Sequence, residues 1–231
     1  MPSSMNTASS DAAHRDLELC RFVEQNLYTA VVSDSLDQLG ARNQAMREYL
    51  RPVHTGCKFA GWARTISCVD VYHIPADPYG MEIAAVDSLL PGEVAVVGTA
   101  KSTRNAPWGE LLSTAARARG ARGAVVDGLV RDVKLIEQLG FPVFAAGIKP
   151  LDSMGRGIVK EYNVPVECGE VLVNPGDLVF ADYDGVIVVP SAMVKEVIDL
   201  AADKASRENR SRAELMGGSY LRDVFAKYGV L

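Results

Sequence analysis

Two acidic residues and an arginine occupy positions in this chain where metal-assisted chemistry is expected. Glu110 begins a segment, 110–119, with apolar residues at helical spacing, and Arg131 and Asp132 immediately precede a second such segment, 133–139. In an open α/β sheet such helix starts face the carboxyl ends of the strands, where ligands bind. Two carboxylates with water suit Mg²⁺, which takes one or two protein carboxylates and keeps several waters.

The residues around these charges could hold an anionic substrate. Gly109 lies at the start of the first helix, and the backbone N–H groups of Leu111 and Leu112 point toward an incoming carboxylate. Arg131 can meet both a carboxylate and an oxygen on which negative charge develops. Together these groups describe a site for a 2-oxo acid that passes through an enolate. The same residues also fit a plainer interpretation, in which the carboxylates stabilise helix starts and Arg131 pairs with Asp132 at the surface.

An alternation of helix and strand has to position these groups. A short apolar strand at 124–126 leads into a polar junction at Asp127 and Gly128, and a strand at 143–145 follows the second helix. A loop at 149–157 is expected near the mouth of the site. The remaining patterns predict helices at 17–27, 29–40, 81–89 and from Ser191 onward, strands within 57–71 and at 94–97, and a hairpin over 178–189. This alternation predicts an α/β fold.

Composition favours a globular protein that acts on small molecules. Of the 231 residues 48% are hydrophobic and 23% charged, and the net charge of −5 argues against a nucleic-acid or anionic-membrane surface. The four cysteines lack a CxxC pairing, which predicts reduced thiols and a cytoplasmic location. No apolar run approaches the length of a membrane span. We expect one domain, residues 17–231, after a flexible tail at residues 1–16 that is rich in Ser, Ala and Asn.

The central stretch of the chain resembles a known enzyme family. The run GARGAVVDGLVRDV at 120–133, preceded by WGELL and followed by GFPVFAAG, is similar to the class II 4-hydroxy-4-methyl-2-oxoglutarate / 4-carboxy-4-hydroxy-2-oxoadipate aldolases. That family shares its fold with the regulator of ribonuclease E activity A. The resemblance extends from about Thr29 to the C-terminus. It implies a layered α/β sandwich of the swivelling-domain type with peripheral N- and C-terminal helices, assembled as a homotrimer or hexamer with active sites between subunits.

The resemblance also implies a role for each site residue. Arg131 and Asp132 would be catalytic, Asp132 would bind Mg²⁺ or Mn²⁺ directly, and Glu110 would hold metal-bound water. Glu208 would match the acidic residue that a neighbouring subunit contributes. The pyruvyl half of the substrate would be held by Gly109, Leu111, Leu112 and Arg131. The implied reaction is cleavage of a 4-hydroxy-2-oxo acid to pyruvate and a second carbonyl product, with oxaloacetate decarboxylation through the same enolate.

One departure from the family keeps another class of function open. Aldolases of this family carry Glu or Asp three places after the metal-binding Asp, where this chain has Leu135. The regulator branch also lacks that acid, so the alternative is a non-catalytic protein that binds a ribonuclease. A Schiff-base aldolase is disfavoured because Lys134 lies in the first turn of a helix, where solvent is expected, although Lys149 stays open as an accessory group. A methyltransferase is disfavoured because the sequence lacks a glycine-rich loop of the kind that binds a nucleotide cofactor.

Overall fold

The computed structural model describes residues 16–230. The helices are α1 (Leu17–Asn26), α2 (Thr29–Gln38), α3 (Gly80–Asp87), α4 (Glu110–Ala118), α5 (Val133–Leu139), α6 (Val194–Met216) and α7 (Leu221–Tyr228). The strands are β1 (Arg51–Pro52), β2 (Phe59–Asp70), β3 (Glu93–Gly98), β4 (Gly123–Val130), β5 (Val143–Ile148), β6 (Gly157–Tyr162), β7 (Val166–Cys168), β8 (Val171–Val173), β9 (Leu178–Asp182) and β10 (Gly185–Val189). The predicted tail, residues 1–16, lies outside the described residues except for Asp16. Its carboxylate caps α1 by accepting the N–H of Leu19 at 2.9 Å.

An eight-stranded mixed sheet organises the chain, in the order β1-β5-β4-β3-β2-β9-β10, with β6 paired to the second half of β2. Strands β5, β4, β3 and β2 run parallel, whereas β1, β6, β9 and β10 join antiparallel. The segment before β1 bonds to β10, where the Met46 N–H donates to the Val186 carbonyl at 2.9 Å. The two edges of the sheet therefore approach each other through this segment. Strands β7 and β8 form a separate hairpin.

The central strands are apolar because packed layers cover both of their faces. Every residue of β3 is buried, which is typical of a parallel strand between two layers. Helices α3, α4 and α5 cover Val97 and Val126 on one face. The β7–β8 hairpin covers Val96 and Val125 on the other face. A third cluster joins α1, α2 and α6 to β9 and β10, so the predicted α/β class with peripheral terminal helices is confirmed.

A buried ion pair fixes the entry of the chain into β3. Glu93 is fully buried, and its carboxylate accepts hydrogen bonds from the Arg64 guanidinium at 2.9 and 3.0 Å. The N–H of Leu90 donates to the same carboxylate at 3.0 Å. These bonds tie the start of β3 to its neighbour β2, beneath the layer of helices that carries the site.

The elements predicted around the site are present, with one correction. Helices α4 and α5 and the β9–β10 hairpin lie where the sequence predicts them. Strand β4 continues to Val130, so Asp127 and Gly128 lie within the strand and the predicted junction there is wrong. Asp127 is only 1% exposed within this strand, and the buried position is tolerated because its carboxylate accepts a hydrogen bond from the Tyr49 hydroxyl at 2.8 Å. Strand β6 has no counterpart among the predicted elements.

The structure bears on the cysteines and on membrane insertion as well. All four cysteines are unpaired, and Cys20, Cys57 and Cys168 are buried. Within residues 16–230, none of the helices combines the length and the apolar content that crossing a bilayer requires.

Candidate active site

A cavity of about 310 Å³ opens beyond the carboxyl end of β4, at the first turn of α4 and the residues that precede α5. The first turn of α3 and the loop after β5 complete its wall. The lining residues are Tyr79, Glu82, Ala106, Pro107, Gly109, Leu111, Leu112, Arg131, Asp132, Asp152 and Ser153. The cavity therefore lies at the edge of the sheet where the sequence places a ligand. It brings together five of the predicted site residues, namely Gly109, Leu111, Leu112, Arg131 and Asp132.

Arg131 is fixed at both its backbone and its side chain. The Arg131 N–H donates to the Trp108 carbonyl at 3.0 Å, next to a parallel bridge between Trp108 and Val130. Its guanidinium Nη1 lies 2.9 Å from Oδ1 of Asp152. Its Nε lies 3.6 Å from Oδ2 of Asp132. The guanidinium is thus oriented between two carboxylates on the cavity wall.

Asp152 acts as the anchor for that guanidinium. Its Oδ2 accepts hydrogen bonds from the Tyr79 hydroxyl at 2.5 Å and from the Met154 N–H at 3.0 Å. Partial burial opposes ionisation, but these two bonds and the charge of Arg131 together hold the pKa of Asp152 below its ordinary value. The bond to Asp152 in turn raises the pKa of the Tyr79 hydroxyl. Asp152 therefore stays ionised and keeps Arg131 in place.

Asp132 has a backbone conformation that few residues other than glycine adopt. Its φ is +59°, in the left-handed region, at the position preceding the first residue of α5. The side chain makes no capping hydrogen bond to that helix, although Asp commonly caps a helix. Its carboxylate instead lies against Gly109, where an added Cβ would come within 2.7 Å of Oδ2. A strained backbone at a cavity wall is typical of functional sites, and here it presents a carboxylate to the cavity.

The first turn of α4 supplies unpaired backbone donors. The first N–H groups of any α-helix have no partner within the helix. Leu111 and Leu112, in this turn, both line the cavity. The positive end of the helix dipole adds to the attraction for an anion. These amides are therefore placed to hold a carboxylate opposite Arg131.

Glu110, which the sequence groups with Asp132, does not line this cavity. Its Oε1 accepts a hydrogen bond from the Thr114 hydroxyl at 2.6 Å, one turn further along the same helix. Residues four apart in a helix share a face, whereas the neighbouring Leu111 and Leu112 face the cavity. The structure thus places the Glu110 carboxylate on the outer side of α4.

Glu208 lies in another part of the molecule. It lines a separate cavity with Arg212 and Leu215 of α6 and with residues of α7. The Tyr28 hydroxyl donates a hydrogen bond to its carboxylate, and Lys204 Nζ lies 4.0 Å away. Burial raises the pKa of Glu208. Within one chain, Glu208 does not meet Arg131 or Asp132.

Lys134, weighed for Schiff-base chemistry, and Lys149, weighed as an accessory group, both lie outside the cavity lining. Lys134 is solvated, with its side chain 79% exposed, and its Nζ lies 2.7 Å from Glu137. Lys149 Nζ donates to the carbonyl of Thr103 at 2.8 Å. Leu135, at the position where the aldolases have an acid, is half exposed. None of the three contributes a charge to the cavity.

A divalent cation fits the donor chemistry of Asp132. Among the described residues, the carboxylate of Asp132 has one ion pair, the 3.6 Å contact with Arg131, so it keeps lone pairs for a ligand. Mg²⁺ and Mn²⁺ accept such oxygens and take the rest of their coordination sphere from water and substrate. Within residues 16–230 no three His, Cys, Asp or Glu side chains are grouped to hold a metal by themselves. Water, substrate or another subunit would have to supply the other ligands.

Three titratable residues of the cavity wall are not among the site residues predicted from the sequence: Tyr79, Glu82 and Asp152. For Asp152 there was an indication in the sequence, because the loop that contains it was expected near the mouth of the site. Tyr79 and Glu82 had none, since they reach the site only through the packing of α3 beside α4. Burial, and secondly the charge of Asp152, raise the pKa of Glu82 to about 7, with Arg131 opposing. A strongly perturbed carboxyl in a cavity is typical of an active site.

The chain is similar to proteins of one known family. The chain matches the family model described as RraA-like: Aldolase/RraA over residues 29–188, which contain the whole cavity wall. It is 32% identical over 186 residues to a protein of Halalkalibacterium halodurans named "Putative 4-hydroxy-4-methyl-2-oxoglutarate aldolase", a match that covers 80% of this chain and 83% of that protein. It is 41% identical over 130 residues to an uncharacterized protein of Methanocaldococcus jannaschii, covering 56% of this chain. The matched region spans 61% of the length of that second relative.

Among solved structures the chain resembles Streptomyces coelicolor RraAS2, described as "an unusual member of the RNase ES inhibitor RraA protein family". The TM-score is 0.76 at 32% identity, covering 85% of this chain and 96% of the other. Both the aldolase name and the ribonuclease inhibitor name therefore occur among proteins similar to this chain.

Proposed function

Because the chain belongs to the RraA-like (Aldolase/RraA) family, we propose that it is a divalent-metal-dependent lyase of the cytoplasm. Its substrates are 4-hydroxy-2-oxo acids such as 4-hydroxy-4-methyl-2-oxoglutarate, which it cleaves to pyruvate and a second carbonyl compound. Oxaloacetate, whose decarboxylation passes through the same enolate, is a second substrate. The observation that carries the proposal is that Arg131, Asp132 and the open amides of Leu111 and Leu112 line one cavity.

In the proposed reaction each of these groups has a task. The amides of Leu111 and Leu112 bind the carboxylate of the pyruvyl half. Arg131, held by Asp152, binds the 2-oxo group. When the C3–C4 bond breaks, its electron pair moves toward the C2 oxygen and leaves an enolate. A preorganised guanidinium stabilises that developing charge more than water would, because it needs no reorientation during the reaction.

Asp132 is the residue that would hold the cation, Mg²⁺ or Mn²⁺. When bound, such an ion supplies Lewis-acid polarisation of the 2-oxo group. Glu110 is a further candidate if its carboxylate exchanges Thr114 for metal-bound water. Glu208 can take part only if it comes from a neighbouring subunit, which suits a homotrimer or hexamer with sites between subunits. Because Asp152 is bonded to Arg131 and Tyr79, Asp132 is the one carboxylate of the cavity assigned to the cation, which favours such a shared site.

The test is pyruvate release from 4-hydroxy-4-methyl-2-oxoglutarate and from oxaloacetate, with Mg²⁺ and with a chelator. We expect Arg131→Ala and Asp132→Ala each to abolish release while the oligomer, measured by light scattering, stays intact. Lys134→Ala is the control, since this exposed residue of α5 pairs with Glu137 and does not line the cavity. Pyruvate release at the wild-type rate by either of the first two variants would remove the assignment.

A second candidate is a non-catalytic protein that binds a ribonuclease. Leu135 in place of the family acid favours it, as does the similarity to a protein described as a ribonuclease inhibitor relative. The two candidates differ in whether the wild type releases pyruvate and in whether the Arg131→Ala substitution removes the protein's activity. A ribonuclease-binding surface outside the cavity would keep its inhibitory effect in this variant, and the wild-type protein would release no pyruvate.

A further inference from the structure

Glu82 lies where the polar cavity meets the apolar interior. It belongs to the first turn of α3 and borders the Arg131 cavity. It also borders two narrower spaces lined by apolar side chains such as Val159 and by the thiol of Cys68. In the described part of the chain, its carboxylate has neither a hydrogen-bond donor nor an ion-pair partner. A carboxylate held at such a boundary without a partner costs free energy, so a role for it is expected.

The charged groups facing Glu82 have opposite effects on its ionisation. Burial raises its pKa most, and the Asp152 carboxylate in the loop after β5 raises it further. The guanidinium of Arg131, which follows β4, lowers it. The Tyr79 hydroxyl at the start of α3 and the Cys68 thiol of β2, both with raised pKa, also lie near Glu82. The carboxylates of Asp132 and of Asp70 line the same spaces. The resulting pKa of about 7 lets Glu82 both accept and donate a proton near neutral pH.

The other titratable groups of the cavity wall are already committed. Asp152 accepts bonds from Arg131, Tyr79 and Met154, and its lowered pKa keeps it ionised. The Tyr79 proton is donated to Asp152. Asp132 is the cation ligand in the proposed function. Among the described residues of this wall, Glu82 is therefore the titratable side chain that is still available to carry a proton.

We propose that Glu82 is the catalytic proton carrier of the proposed lyase, an inference that rests on that function. Its carboxylate accepts the proton of the C4 hydroxyl while the C4–O bond becomes a carbonyl, the C3–C4 bond breaks and its electron pair forms the enolate. The protonated Glu82 then gives the same proton to C3. The enolate electron pair forms the new C3–H bond, the C2 carbonyl is restored and Glu82 is again a carboxylate. No proton is gained or lost overall.

Exchange of the pyruvate methyl protons tests this step without a second substrate. In D₂O with Mg²⁺ the carboxylate removes a proton from C3 of pyruvate and returns a deuteron, which ¹H NMR follows. We expect Glu82→Gln to slow the exchange at least about 100-fold, while pyruvate binding, measured by calorimetry, stays within threefold of wild type. Asp87→Asn is the matched control, because it removes one exposed carboxylate from the same helix, and it should exchange at the wild-type rate.

The possible outcomes separate the inference from the function it rests on. Exchange by Glu82→Gln within threefold of an active wild type overturns the role of Glu82 and leaves the lyase standing, as does loss of pyruvate binding in that variant. A wild-type protein that neither exchanges pyruvate nor releases it overturns both. The wild type alone gives a further test that depends on no variant. Its exchange rate should rise between pH 5.5 and 8 as Glu82 ionises, and a flat profile would contradict the inference.

Discussion

Burial of the Glu82 carboxylate should make the protein less stable as the pH rises. Its pKa is about 7 in the folded protein against an ordinary value of 4.5, because of burial and the charge of Asp152. Between these two pH values the folded state holds more protons at this residue than the unfolded state does. The contribution of Glu82 to the free energy of unfolding therefore falls as the pH rises through this window, and the fall ends about one pH unit above the folded-state pKa of about 7.

The size of the effect follows from the shift and from the setting of the side chain. Each pKa unit corresponds to about 1.4 kcal/mol, which gives an upper bound of about 3 kcal/mol for a rise from 4.5 to about 7. Solvent in the cavity that Glu82 borders screens the charge and reduces this free-energy difference. We therefore expect a change of about 1–2 kcal/mol in the free energy of unfolding.

Urea unfolding of the wild type and of Glu82→Gln, at pH 5 and at pH 8 in the presence of chelator, measures this directly. The variant should gain about 1–2 kcal/mol relative to wild type between the two pH values, because it has no charge to bury. Asp87→Asn, on the same helix but exposed, should show no such gain. A difference between Glu82→Gln and wild type that is the same at both pH values would refute the reasoning.

Three further substitutions probe the surroundings of the site. Gly109→Ala places a Cβ 2.7 Å from Oδ2 of Asp132, so kcat/KM for pyruvate release should fall about 100-fold, and an unchanged value would contradict the close approach. Arg64→Met removes the guanidinium that donates two hydrogen bonds to the fully buried Glu93. It should cost about 3–5 kcal/mol in urea unfolding, whereas a cost below about 1 kcal/mol would show that the pair is not needed. Tyr79→Phe removes a hydrogen bond to the carboxylate that anchors the guanidinium. It should raise KM about tenfold with a smaller change in kcat, and steady-state kinetics that show the reverse would argue against a positioning role.

Much of the site could be predicted from sequence because its residues are close in the chain. Apolar spacing and glycine stops locate the two helix starts, and these place Gly109, Leu111, Leu112, Arg131 and Asp132 at one edge of the sheet. The direction in which each side chain leaves the helix is harder to predict from position in the sequence. Glu110 is adjacent to Leu111 in sequence, but its carboxylate turns to Thr114 on the outer side of the helix.

The rest of the site depends on contacts between distant segments. Glu82 reaches the cavity because α3 packs beside α4 and against β6, and β6 itself had no clear signal in the sequence. The pairing of Asp152 with Arg131 and Tyr79 likewise joins three segments whose spacing shows no pattern. The length of β4 also depends on distant segments, since the buried Asp127 carboxylate accepts hydrogen bonds from the Tyr49 hydroxyl and from the backbone of Gly169. Local periodicity does not reveal such partners.

The most direct test of the account is a crystal structure with Mg²⁺ and oxalate, which resembles the enolate of pyruvate in charge and shape. We expect oxalate in the Arg131 cavity, with one carboxylate group at the amides of Leu111 and Leu112, an oxygen at the guanidinium, and the cation on Asp132. Oxalate bound outside this cavity, or Mg²⁺ bound away from Asp132, would contradict it.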